Sequence, residues 1–145
     1  MTSPKIVEDY TISGVNVGKI VRRIIEHAPK ICLEDLKQVT IVDSNPEKRG
    51  FACYLKDERE IRIFAKELIG WQPWILKKSY LFPYITVGLA LGHELDHHIN
   101  RNNNEIDKER SAEENAIKYI SPSFGIFKPL IKILMLLRKR NSRSG

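Results

Sequence analysis

The pattern of apolar and polar positions divides the chain into a helical start, a strand-rich middle and a helical second half. Val17, Ile20, Val21, Ile24 and Ile25 recur at helical spacing within Val15 to His27, and Pro29 ends that segment. A short second helix is expected near Ile31 to Leu36. Val39 to Val42 is rich in β-branched residues and reads as a strand. After the loop SNPEKRG, Phe51 to Leu55 and Ile61 to Phe64 read as two strands joined by the polar turn KDER. Residues 66 to 82 carry no clear period, and their Trp71 and Trp74 are expected either to line a cleft or to cap the core. From Pro83 the pattern is helical through YITVGLALGHELDHHIN, and Asn100 to Asn104 breaks it. A further helix spans about Glu105 to Ile120, with Asn104 as its N-cap and Pro122 as its stop. A last apolar segment runs from Ile126 to Leu137. The fold class that follows is α+β: a sheet of roughly three strands packed on two helices, with helices at both termini.

Composition narrows this little. The 145 residues fit one domain able to bury a core without staples. Charged residues are 29% and hydrophobic residues 42%, values ordinary for a globular protein. The net charge is +6, but Arg138, Lys139, Arg140 and Arg143 crowd the last eight residues, so the excess is partly a solvated tail. No aromatic-rich basic strand or helix-turn-helix accompanies it, so no specific nucleic-acid partner is expected. Cys32 and Cys53 have no CxxC spacing and read as buried free thiols in a reducing compartment. MTSPKIVEDY lacks the apolar core of a signal peptide, and no run approaches the ~18 apolar residues of a membrane span. A cytoplasmic location is expected, with weak membrane-surface association open to the C-terminal segment.

The chemistry lies in HELDH. Two histidines four apart on a helix, His93 and His97, share one face and can reach one ion. Glu94 stands on the neighbouring flank, where a carboxylate can act as base toward a water that the ion polarises. Zn2+ requires a third protein ligand, and no third histidine follows at a distance. His98 points elsewhere, toward solvent or in support of the site. The acids left are Glu105, Asp107, Glu109, Glu113 and Glu114. Ala112, Ala116, Ile117 and Ile120 mark the buried face of the following helix. At about 100° per residue Glu109 falls near the middle of that face, Glu113 beside it, and Glu114 on the far side with Arg110 and Lys118. A carboxylate on a buried stripe needs a partner, and a zinc ion is one. Glu109 is therefore the expected ligand. Glu113 is expected to orient a ligating histidine or to be the alternative ligand. The competing reading places both acids in surface pairs with Lys108 and Arg110.

TVGLALGHELDHHI followed by ERSAEENAIKYISP resembles the gluzincin pattern, and is closest to the ImmA/IrrE-type metallopeptidases and the single-domain minigluzincins. The resemblance covers about residues 61 to 122. Asp96 stands where those families usually have Gly, and Glu113 where Asp or Asn is usual. The resemblance implies a small zincin-like domain over residues 1 to 122, with residues 123 to 145 as an added helical segment and basic tail. It implies zinc-dependent peptide hydrolysis, with Glu94 as the base and a peptide or protein substrate extended along Ile61 to Phe64. Tyr80, Tyr84 and Tyr119 are the candidates for an oxyanion donor. GIFKPLIKILMLLRKR is expected to complete the core, to lie on a lipid surface, or to cover the site and make the enzyme latent. The alternative is a weak or inactive zinc-containing regulatory module. A purely structural zinc usually has four protein ligands, whereas three are evident here. The oligomeric state is not legible.

Overall fold

The computed structural model describes residues 4–7, 11–47, 50–70, 72–102, 108–129 and 132–133. Elements follow in the order β1 Lys5–Val7, β2 Thr11–Ile12, β3 Val15–Asn16, α1 Val17–His27, α2 Lys30–Leu33, β4 Gln38–Val42, β5 Ala52–Leu55 and β6 Glu60–Phe64. A π-helical turn over Lys66–Gly70 leads to α3 Trp74–Lys78, α4 Leu81–Ile99, α5 Lys108–Ile120 and a 3-10 turn over Ser121–Phe127. The Asn104 cap, Glu105, Asp107, Trp71, the basic tail and most of the C-terminal apolar segment lie outside the described residues.

The α+β class holds, but the main sheet has four strands rather than three. Its order is β1-β4-β6-β5, and β2 and β3 form a separate hairpin. β1 was hidden because a three-residue edge strand is too short to show an alternating period. β4 pairs parallel with both β1 and β6, while β5 pairs antiparallel with β6. The resemblance also implies that Ile61 to Phe64, along which a substrate was expected, is the edge strand lining the cleft, and this order overturns that. Ile61 to Phe64 is not an edge strand: β6 is inserted between β4 and β5, and both its edges are used. Its side chains agree, since Ile61 and Ile63 are fully buried and Glu60 and Phe64 nearly so. The edge strands of this sheet are β1 and β5, and β5 is the one that borders the cleft described below.

α1 carries a clean apolar stripe, capped where Lys19 N–H donates to Asn16 Oδ1 at 2.8 Å. α4 has apolar residues nearly all round because several elements cover it. Val87, Leu91 and Leu95 are fully buried in one core with Ile20, Val21 and Ile24 of α1 and Val39, Ile41, Ile61 and Ile63 of the sheet. Each such side chain contributes roughly 1.5–3 kcal/mol of burial. Ser79, between α3 and the Tyr80 N-cap of α4, satisfies one free donor of the first turn, its Oγ accepting from Phe82 N–H at 3.2 Å. The core runs on through Phe124, past residue 122 where the sequence suggested that the domain ends. Trp74 neither lines a cleft nor caps the core: it is 65% exposed, with the Lys78 ammonium over its ring. Among the described residues no helix is long and apolar enough to cross a membrane.

Candidate metal centre

α4 presents His93 and His97 on successive turns, and α5 crosses beside them with Glu109 in its first turn. The two imidazole Nε2 atoms lie 3.0 Å apart. Glu109 Oε2 is 3.3 Å from His93 Nε2, and Oε1 is 3.3 Å from His97 Nε2. Each imidazole nitrogen thus faces a different oxygen of the one carboxylate, and one ligand atom from each residue lies within 4.8 Å of the others, within reach of a single ion held at about 2.0–2.2 Å. The donor set, two imidazoles and a carboxylate, also suits zinc. These residues are the one metal-competent group among the described residues. Burial, and then the neighbouring His93, hold His97 below the usual imidazole range, which favours the neutral ring that a metal needs.

Glu109 differs from expectation in its burial. Its side chain is 81% exposed, so it is not a buried carboxylate in need of a partner. The stripe of Ala112, Ala116 and Ile120 does continue to position 109. At that end of α5, however, the apolar packing has run out and the stripe faces a cleft. Glu113 is exposed too and lines the same cleft, but among the described residues no hydrogen bond or ion pair joins it to either imidazole. Glu114 is on the far side, 3.5 Å from Arg110, as the helical angle required.

The cleft, about 630 Å3, is bordered by Phe51 to Tyr54 at the sheet edge, Leu89 and Ala90 of α4, and the metal-competent residues. Glu94 is buried at its floor. Burial chiefly, and then the charge of Glu109, push its carboxyl up to about 7, opposed by the backbone N–H of Tyr54. That N–H is placed by strand register. Phe64 N–H donates to Phe51 O, so residues 53 and 55 continue the bonded pairs while Ala52 and Tyr54 turn their backbone groups outward. The outward row of β5 therefore faces the cleft. Cys53 is half-buried there and Cys32 is fully buried; both are unbridged. Burial raises the Cys53 thiol, and the Glu94 charge adds to the effect.

Three tyrosines considered as oxyanion donors are all placed elsewhere. Tyr119 Oη donates to Asp96, Tyr84 Oη is 3.4 Å from Ser123 O, and Tyr80 lies exposed against Tyr84. The tyrosine lining the cleft is Tyr54. His98, expected to face solvent or to support the site, is fully buried. Its Nε2 lies 2.6 Å from Glu34 O and must carry the proton, so Nδ1 accepts from Tyr54 Oη at 2.8 Å. His98 thus ties the edge strand to α4. Asp96 is likewise buried, and α5 supplies its partners, Ser111, Asn115 and Tyr119. The spacing of those three donors was readable, but not what they face. No protein-family model, curated protein or solved structure matches the chain.

Proposed function

We propose that the chain is a small zinc-dependent peptidase of zincin-like architecture. The observation that carries this reading is the convergence of His93, His97 and Glu109 within one cleft whose floor is Glu94. His93 Nε2, His97 Nε2 and the Glu109 carboxylate would hold the ion. Zinc bound there supplies Lewis acidity and makes a water acidic enough to attack a carbonyl near neutral pH. The chain's own part falls to Glu94. Its carboxylate would take the proton of the attacking water and return it to the leaving amine, from a place on the cleft floor next to His93. With the Tyr54 N–H turned to Glu94, the outward backbone groups of Ala52 and the Tyr54 carbonyl would offer main-chain hydrogen bonds to an extended peptide laid along β5. Apolar cleft residues such as Phe51 and Leu89 exclude water around it. Two unbridged thiols fit a cytoplasmic setting.

The test combines metal analysis with turnover on a quenched-fluorescent peptide library. The wild type is expected to hold one zinc per chain and to cleave. Glu94→Gln should keep the zinc and lose about 10²–10⁴-fold in turnover. Full turnover by the pure variant would remove Glu94 as the base. A zinc-loaded wild type that cleaves no peptide would favour the metal-containing binding module instead.

A further inference from the structure

Glu109 is exposed in the first turn of its helix, so its own surroundings do little to hold it against the imidazoles. Its position is set by how α5 lies along α4, and two features fix that. The first is closeness. A Cβ on Gly92 would stand 2.4 Å from Ala116 O, and one on Gly88 would stand 3.1 Å from Ile120 Cδ1, so the helices approach to backbone contact. A smooth strip of this kind sets a distance but tolerates sliding. The second feature is directional. Asp96 is 1% exposed. Its Oδ1 accepts from Asn115 Nδ2 at 3.0 Å and from Tyr119 Oη at 3.0 Å, and its Oδ2 accepts from Ser111 Oγ at 3.4 Å. Asn115 Nδ2 also donates to Ser111 Oγ at 3.1 Å. One carboxylate, beside His97 on the metal helix, thus grips three successive turns of the helix that carries Glu109.

We propose that Asp96 is a positioning residue of the metal centre: by holding Ser111, Asn115 and Tyr119 it fixes the register of α5 on α4, and so keeps the Glu109 carboxylate beside His93 and His97. The proposal rests on reading Glu109 as the third ligand. Register matters because sliding a helix by one residue displaces a ligand by about 1.5 Å, whereas metal–ligand distances tolerate about 0.2 Å. An apolar side chain at position 96 would join the helices without demanding a register. A buried carboxylate demands one, because each lost donor leaves charge uncompensated.

The experiment is a double-mutant cycle on the full chain, read by competitive zinc titration and by the visible spectrum of the cobalt(II)-loaded protein. Asp96→Asn and Tyr119→Phe are each made alone and combined with Glu109→Ala. Each is expected to weaken zinc binding about 10–100-fold when Glu109 is present, and to alter the cobalt spectrum, which reports ligand geometry. Combined with Glu109→Ala, each should add less than about 2-fold, because the residue it acts through is gone. An equal penalty in both backgrounds, or none in either, overturns the proposal. If Asp96→Asn does not fold, Ser111→Ala removes a single donor from a half-buried site and takes its place in the cycle. Failure of the clamp alone leaves Glu109→Ala defective in zinc binding. Zinc binding by Glu109→Ala equal to wild type instead removes the ligand reading, and the clamp with it.

Discussion

Glu94 joins two demands that oppose each other. In the proposed role of base beside a metal it must be ionisable, yet its place on the cleft floor buries it and raises its carboxyl to about 7. Folding the metal-free chain therefore disfavours the charged form. Below the ordinary carboxyl value of 4.5 both folded and unfolded states are protonated and there is no penalty. As pH rises toward 7 the penalty grows, and above 7 it is full, at most about 3 kcal/mol. Glu94→Gln removes it. Metal-free Glu94→Gln should match wild type near pH 4.5 and exceed it in stability at pH 8, by denaturant unfolding at each pH. Equal stability at pH 8 would contradict the burial argument. At this scale the sequence was informative wherever one helix face decided the outcome, as for His93, Glu94 and His97. It could not place His98, expected toward solvent or in support of the site, because its partners Tyr54 and Glu34 are remote in the chain and meet it only when β5 and the end of α2 pack on α4.

The elements add constraints that no single residue carries. α4 and α5 touch backbone to backbone at Gly92, so an added methyl there has no room. Gly92→Ala should destabilise by about 1–3 kcal/mol through overpacking, despite the helix propensity that alanine adds, and should loosen metal binding by moving α5. Gly70→Ala is the control. The nearest atom to its Cβ would be 3.9 Å away, so its stability should stay within about 1 kcal/mol of wild type. Urea unfolding of both variants checks the contrast, and equal losses would refute the close approach. The strands show where element-level reading stops. The hairpin of β5 and β6 was legible from its turn, but pairing order was not. Nothing local says that the second strand of a hairpin inserts next to β4 and leaves the first on the rim. That insertion puts β5 beside the cleft.

Among the described residues the core is one cluster, and the turn after α5 belongs to it through Phe124. Phe124 is 4% exposed, packs edge-on against Tyr84 and lies over Gly88. Phe124→Ala should therefore cost about 3–5 kcal/mol by thermal or urea unfolding; a loss below 1 kcal/mol would return the turn after Pro122 to the periphery. Short-range periodicity along the chain encodes whatever a single helix or strand face can settle. It set the stripe of α1, the two-histidine face of α4, the angle that turns Glu109 toward that face and Glu114 away, and the α+β class. Tertiary structure decided what depends on elements far apart in the chain. It put β5 rather than β6 on the open edge, buried His98, and left Glu109 at a cleft instead of in the core. It also brought Asp96 against three turns of α5. The physical reason is the same in each case: a helical or strand period fixes a direction, but burial and partnership depend on which other element lies in that direction.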